Sequence, residues 1–166
     1  IDHTDFLGST REEISFEKAG IFRANKPVVI GEPNIPRPML EQAEKLHCHV
    51  SRRDVTWSFK ANEQTWMWQS NKVRLENLPL CRSPLANVAT ALAAVQQLPF
   101  DISVETIKRS LIEVELVGRF QQLKGNQLEK LADRLNVPYS HLPKVIIDVG
   151  HNPHAAKYLA EKLTAL

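Results

Sequence analysis

Hydrophobic and polar positions follow two different patterns along the chain, and each predicts a type of strand. Residues 27–31 form a continuous apolar run, typical of a strand buried on both faces of a parallel sheet. Between 55 and 75, aromatic and polar residues alternate around a polar turn at 61–63, which predicts an antiparallel hairpin, and 73–75 adds a third strand. The alternating aromatics are Trp57, Phe59, Trp66 and Trp68.

Helices are predicted from apolar spacing and from start and stop signals. Residues 9–12 fit a capping box with Ser9 as the N-cap, and the helix that follows would end at Gly20. Near the other end, a β-branched run at 145–147 leads to Asp148, a glycine turn, and Asn152 and Pro153, which suit an N-cap and a first helical position. Further helices are predicted at 39–46, 85–95, 104–114 and 126–135.

This order of elements predicts an α/β fold with a small antiparallel β subregion. A new strand–helix unit starts beyond Gly118, so we expect one domain at 1–117 and a second at 118–166. The chain opens without an initiator Met and closes on a helix that no strand follows. We therefore expect it to be a piece of a longer protein.

Composition narrows the function classes only slightly. The 166 residues are 43% hydrophobic and 24% charged, which is ordinary for a globular protein. The net charge of +2 is too small, and the basic residues too scattered, to predict a nucleic-acid partner. No apolar run approaches the ~20 residues of a membrane span, and two cysteines do not make a disulfide framework. We expect a cytoplasmic protein that binds neither nucleic acid nor membrane.

Several polar residues stand where ligands commonly bind. Asp148 and His151 follow a strand and precede a helix N-terminus, whose N–H groups favour anions. Residues 2–5 contain Asp-His-Thr-Asp, which is either a polar turn or a metal or phosphate site. A strand at 47–50 would put His47 and His49 on one face, although a metal would need a third ligand.

Two residues on predicted helices are ambiguous from spacing alone. Lys18 lies four residues after Ile14, toward the apolar side of its helix. It either complements the helix C-terminus or is held desolvated as a nucleophile, even toward carbon dioxide. Asn87, in the first turn of the alanine-rich helix, is either a local cap or a ligand contact.

Five blocks of sequence, taken together in their order, carry more information than any one of them. They are Asp-His-Thr-Asp-Phe-Leu-Gly at 2–8, Glu-Lys-Ala-Gly-Ile-Phe at 17–22, Asn-Val-Ala-Thr-Ala-Leu at 87–92, Gly-Arg-Phe-Gln at 118–121 and Asp-Val-Gly-His-Asn-Pro-His at 148–154. In this order they resemble the Mur-type amino-acid ligases, in particular the bacterial dihydrofolate synthase/folylpolyglutamate synthase family. The choice of the folate branch rests on Lys-Ala-Gly-Ile-Phe and Gly-Arg-Phe-Gln.

The resemblance implies a fold and a reaction. Residues 1–117 would be the C-terminal part of the central ATP-binding domain, and 118–166 the beginning of the Rossmann-like glutamate-ligase domain. The family uses ATP to phosphorylate a substrate carboxylate, and the amine of an amino acid then attacks the acyl phosphate. Here the carboxylate would belong to dihydropteroate or a folate, the amine to L-glutamate, and Mg²⁺ would screen the phosphates.

The resemblance also implies roles for single residues. His3 matches a histidine ligand of Mg²⁺, and Lys18 matches a lysine that carbamylation converts into an anionic oxygen ligand. Asn87, Arg119 and Asp148 match ATP contacts, the arginine suiting phosphate by its charge and fork. His151 matches a histidine that handles phosphate or a proton. Lys18 and His151 are thus the two residues expected to be catalytic.

The chain departs from the family pattern in two respects. It contains no Walker-type phosphate loop, since none of its six glycines stands in the required spacing. The segment 123–142 is also longer than usual for the family. We therefore expect the full-length parent to be the ligase, acting as a monomer, and the 166-residue chain alone to be inactive.

Two other functions remain open from sequence. A cell-wall ligase of the same superfamily would share the regions around His3 and Lys18 and would use a UDP-linked muramoyl substrate. Alternatively, the chain could act as a non-catalytic binding module, in which case even the full-length parent would not bind nucleotide.

Overall fold

The computed structural model describes residues 8–164 of the chain, without the side chain of His154. Two compact units divide the chain, the first extending to Ile112 and the second starting at Glu113. This division falls slightly before Gly118, where the sequence predicts it. The assignment of the two parts to ligase domains stays a prediction.

The first unit combines a parallel strand pair with an antiparallel sheet, as an α/β prediction requires. Its elements are α1 (Arg11–Ala19), β1 (Pro27–Ile30), α2 (Arg37–Lys45), β2 (His49–Arg52), β3 (Trp57–Ala61), β4 (Thr65–Ser70), β5 (Arg74–Pro79), α3 (Leu85–Val95) and α4 (Val104–Glu113). Strands β1 and β2 run parallel, with Ile30 opposite Arg52, whereas β3, β4 and β5 form an antiparallel meander. The predicted hairpin and its third strand are confirmed.

The second unit is smaller and is built around a short antiparallel pair. Its further elements are β6 (Gln121–Gln122), α5 (Asn126–Leu135), a 3-10 turn (Tyr139–His141), β7 (Ile146–Ile147) and α6 (Pro153–Thr164). Strand β6 pairs with β7, with Gln121 opposite Ile147. Helix α5 has the predicted bounds, and Asn152 caps α6 as predicted, its Oδ1 accepting the Ala155 N–H at 2.8 Å.

The core of the first unit lies between the meander and α3. Trp57 and Trp68 stack with ring centroids 6.3 Å apart, and Trp66 and Trp68 are only 2% and 1% exposed. Each of the latter two satisfies its indole N–H with a backbone carbonyl, Trp66 with Pro79 at 2.8 Å and Trp68 with Ala89 of α3 at 3.0 Å. The Trp68 bond fixes α3 against the sheet, whereas the Trp66 bond joins β4 to β5.

The first helix begins one residue later than the sequence predicts. Thr10, not Ser9, is the N-cap: its Oγ1 accepts the Glu13 N–H at 3.2 Å, and the Glu13 carboxylate accepts the N–H groups of Ser9 at 2.7 Å and Thr10 at 3.3 Å. Both Ser9 with Glu12 and Thr10 with Glu13 satisfy the capping-box spacing. The spacing therefore could not distinguish the two registers.

The predicted histidine pair on one strand face is wrong. His47 has a φ of +50° and lies before β2, so the alternation of a strand does not relate it to His49. Over residues 8–164, no group of three histidine, cysteine, aspartate or glutamate side chains could hold a metal ion. The same part of the chain has no helix with the length and apolar character that a bilayer crossing requires.

Replacing Glu13 with glutamine should destabilise the protein in a pH-dependent way. The N–H groups of Ser9 and Thr10 hold the pKa of Glu13 below its ordinary value of 4.5. A pKa lowered by folding stabilises the protein above pH 4.5, and this contribution is lost as the pH falls through the folded-state pKa. The difference in melting temperature between Glu13→Gln and the parent should therefore be present at neutral pH and vanish in acid.

Glu12→Gln is the matched control, because the Glu12 carboxylate makes no hydrogen bond to a described residue. Equal losses of melting temperature for the two variants at neutral pH would contradict the assignment of the cap.

Candidate functional site

The first candidate site is a cleft of about 530 Å³ in the first unit, where β1 and β2 end beside α3. Ligands of α/β proteins commonly bind at the carboxyl ends of parallel strands, next to helix N-termini that favour anions. The cleft has this placement. Its lining residues are Gly31, Glu32, Pro33, Arg53, Ala86, Asn87 and Thr90.

The close approach of β1 to α3 shapes this cleft. Gly31 directly follows β1, and a Cβ at this position would overlap the side chain of Thr90. Thr90 is itself held, because its Oγ1 donates a hydrogen bond to the Ala86 carbonyl at 2.7 Å. The Arg53 N–H donates to the Ile30 carbonyl at 3.1 Å, and this bond extends the parallel pairing of β1 with β2 beyond the ends of the two strands. Only glycine fits where this strand end meets the helix.

Asn87 offers the cleft an amide that has no partner among the described residues. It is exposed in the first turn of α3, and its backbone N–H donates to the Pro84 carbonyl at 2.9 Å. Helix α3 has no side-chain N-cap, so Asn87 is not the local cap that the sequence left open. Its side chain makes no hydrogen bond to a described residue. Both its donor and its acceptor therefore remain available to a ligand.

Arg53 is a lining residue that sequence reasoning missed. Its guanidinium carbon lies 4.7 Å from the centroid of the Phe59 ring, and its Nε is 3.3 Å from Asp54 Oδ2. This distance makes an ion pair, yet the Nε is buried without a partner in hydrogen-bond geometry. Its position directly after β2 could have indicated a place at the cleft, but only once β2 is known to pair with β1.

Lys18 is not among the residues that line this cleft. Lys18 is exposed in the last turn of α1, whose buried residues are Ser15 and Ala19. The prediction that Lys18 faces the apolar side is therefore wrong for the described part of the chain, because the buried stripe is displaced by one residue. The predicted metal ligand His3 lies outside the described residues.

The second candidate site, in the second unit, is organised by the carboxylate of Asp148. Its Oδ2 accepts the Phe120 N–H at 2.7 Å, and its Oδ1 accepts the Gly150 N–H at 2.6 Å. The Val149 N–H also donates to the Gly118 carbonyl at 2.9 Å. Asp148 thus ties two loops together, a structural role that residue type alone did not reveal.

These bonds hold a strained turn that carries Arg119. Gly118 and Phe120 have φ angles of +69° and +46°, and the buried side chain of Gln121 accepts the Gly118 N–H at 3.0 Å. The Arg119 side chain is exposed and makes no hydrogen bond or ion pair with a described residue. The turn therefore presents a cation with its donors unused.

His151 lies in the loop between Asp148 and α6. Its Nδ1 is 2.9 Å from the Val149 carbonyl oxygen, and because a carbonyl can only accept, this bond requires the proton on Nδ1. The structure brings Arg119, Asp148 and His151 together in the second unit. Asn87 is in the first.

Comparison with known proteins gives these sites a family context. No family model matches the chain. A curated Haemophilus influenzae protein named dihydrofolate synthase/folylpolyglutamate synthase is 71% identical over 166 residues, which are 100% of this chain and 38% of that protein.

Two solved structures also resemble the chain in fold. Escherichia coli FolC in complex with DHPP and ADP covers 100% of the chain with 38% identity and a TM-score of 0.81, over 36% of its own length. A bifunctional folylpolyglutamate synthase/dihydrofolate synthase with Mn, AMPPNP and L-glutamate bound covers 99% of the chain with 41% identity and a TM-score of 0.78, also over 36% of its length. The chain therefore spans little more than a third of these relatives. The resemblance predicted from the five sequence blocks is confirmed.

Asp148→Asn should loosen the turn at Arg119 without unfolding the first unit. Asparagine keeps one acceptor but turns an amide N–H₂ toward a backbone donor, so one of the two bonds is lost. Hydrogen bonds to a charged group contribute about 1.5–3 kcal/mol each, so amide exchange at Phe120 or Gly150 should accelerate at least tenfold. Exchange measured residue by residue by NMR checks this.

The control is Asp133→Asn, on the exposed surface of α5. Unchanged protection at Phe120 and Gly150 in Asp148→Asn, or the same loss in both variants, would contradict the structural role of Asp148.

Proposed function

The chain is a homologue of one region of the dihydrofolate synthase/folylpolyglutamate synthase family, and on this basis we propose that its full-length parent ligates L-glutamate to dihydropteroate or to folates. The proposed reaction uses ATP to phosphorylate the substrate carboxylate. The glutamate amine then attacks the acyl phosphate, forms the amide bond, and releases phosphate beside the ADP already formed. The chemistry requires the nucleotide and the carboxylate to be held together away from water.

The observation that carries the proposal is the Asn87 amide in the cleft at the strand ends, which no residue from 8 to 164 satisfies. A carboxamide can donate to N7 and accept from the N6 amine of adenine through a pair of hydrogen bonds. Asn87 has both groups available, in a cleft with room for a base. We assign it the role of an ATP contact, the role that the sequence blocks predict.

In the second unit, Arg119 is proposed as the phosphate contact. Its guanidinium is exposed and without a partner among the described residues, and a guanidinium matches phosphate oxygens in both charge and geometry. Asp148 retains its proposed place near ATP. Because backbone N–H groups occupy both of its oxygens, its main effect would be to hold Arg119 and the adjoining loop. His151, with its proton on Nδ1, is proposed to contact phosphate or to transfer a proton.

A divalent cation is proposed to accompany the nucleotide. The related structure contains Mn with AMPPNP, and the sequence predicts Mg²⁺ on His3. The described residues do not by themselves provide a set of metal ligands. Lys18 is proposed to become carbamylated, which would replace its cation by an anionic oxygen ligand. Its exposure leaves it accessible to carbon dioxide.

The full-length parent should convert dihydropteroate to dihydrofolate in a reaction that needs both ATP and L-glutamate. Asn87→Ala should lower kcat/KM for ATP by about tenfold to a hundredfold, the effect of two lost hydrogen bonds to the base, whereas the control Asn71→Ala in an exposed turn should not. Product formation is followed by chromatography and mass spectrometry.

The same assay separates the alternatives. Product from a UDP-linked muramoyl substrate but not from any pterin would indicate a cell-wall ligase. No binding of Mg²⁺–ATP by the full-length protein would indicate a non-catalytic module. Turnover by the 166-residue chain alone would contradict the expectation that this part is inactive.

Carbamylation of Lys18 predicts a reversible mass gain of one carbon dioxide. Intact-mass measurement of the full-length protein in bicarbonate should show the adduct, and Lys18→Arg should abolish it. Lys45→Arg is the matched control, since Lys45 also lies in the last turn of a helix. An unmodified Lys18 under these conditions, or an adduct that survives Lys18→Arg, would refute the assignment.

A further inference from the structure

We propose that the guanidinium of Arg53 stacks on the base of the nucleotide bound in the cleft. This inference rests on the proposed function, because it requires that the cleft binds ATP. It adds a residue that the five sequence blocks do not contain.

The backbone fixes Arg53 at the edge of the cleft. Its N–H donates to the Ile30 carbonyl at 3.1 Å, and an isolated parallel bridge joins Arg53 to Trp57. The side chain is 26% exposed, and the residue lines the cleft together with Asn87. The guanidinium is therefore partly buried, in a fixed place, on the surface that a ligand would touch.

A rigid aromatic ring supports the guanidinium. The guanidinium carbon lies 4.7 Å from the centroid of Phe59, and Phe59 packs edge-on against Trp66 with centroids 6.4 Å apart and an interplanar angle of 88°. Trp66 is only 2% exposed, so the ring beneath Arg53 cannot easily move. A guanidinium is planar and weakly hydrated, and stacks well on aromatic rings. With one side against Phe59, the other side can receive a base.

The charges around Arg53 favour a neutral base over a phosphate. Asp54 Oδ2 lies 3.3 Å from the Nε, and Glu32 lines the same cleft. The Asp54 carboxylate offsets the positive charge of Arg53 and weakens its attraction for an anion, whereas the Glu32 carboxylate is itself paired with Arg11, 3.7 Å away. Stacking on a neutral base does not depend on that attraction. The terminal nitrogens of Arg53 make no hydrogen bond to a described residue, so they can also reach the edge of the base or a ribose oxygen.

NMR of the full-length parent protein titrated with AMP tests this arrangement. The Nε–H resonance of Arg53, assigned from its absence in Arg53→Lys, should shift upfield because a stacked base adds its ring current. The side-chain amide of Asn87 should shift in the same titration. Arg53→Lys keeps the charge but removes the plane, and should raise Kd for AMP about fivefold to tenfold.

Arg52→Lys is the matched control, because Arg52 is the neighbouring arginine and does not line the cleft; its Kd should not change. Should Arg53→Lys fail to fold, Phe59→Leu removes the supporting ring and should weaken AMP binding in the same direction.

The outcomes distinguish failure of this inference from failure of the proposed function. An equal shift of Arg53 with ribose 5-phosphate, which has no base, would show an anion contact and overturn the stacking. A shift of Asn87 with Arg53 silent, and equal Kd for the two lysine variants, would overturn the role of Arg53 alone. If neither resonance moves with AMP or ATP, the cleft is not a nucleotide site, and the proposed role of Asn87 fails as well.

Discussion

The close contact between Gly31 and Thr90 is the constraint on which the first unit depends. Because no Cβ fits there, the end of β1 can approach the second turn of α3, and the space beside that contact becomes the cleft. The tryptophan core fixes α3 from its other side through the Trp68 indole. The position of α3 and the shape of the cleft are thus consequences of one packing arrangement, which also places the polar residues Asn87 and Thr90 at the cleft.

The second unit depends on a different interaction, because its strands are too short to hold a site by themselves. Strands β6 and β7 contribute only two residue pairs. The carboxylate of Asp148 supplies what the short ladder lacks, by accepting N–H groups from the loops on either side. A charged acceptor is well suited to this task, since hydrogen bonds to it are about twice as strong as neutral ones. The same residue can therefore support the site and stand beside its ligand.

Local patterns in the sequence determined much of the fold but less of the site. Helix α5 at Asn126–Leu135 and the aromatic meander follow from periodicity, which depends on near neighbours. The exposure of Lys18 depends on which of two adjacent faces of α1 is buried, and the spacing of Lys18 from Ile14 indicated the wrong face. Arg53 gained significance only from the pairing of β1 with β2 and from the ring of Phe59, contacts that no local pattern contains.

The clustering of the tryptophans has a spectroscopic consequence. All three indoles of the chain, Trp57, Trp66 and Trp68, belong to the first unit, where the first and last of them stack. The second unit has only tyrosines, Tyr139 and Tyr158, as ultraviolet chromophores of comparable use. Excitation at the red edge of the indole band therefore observes the cleft-bearing unit selectively.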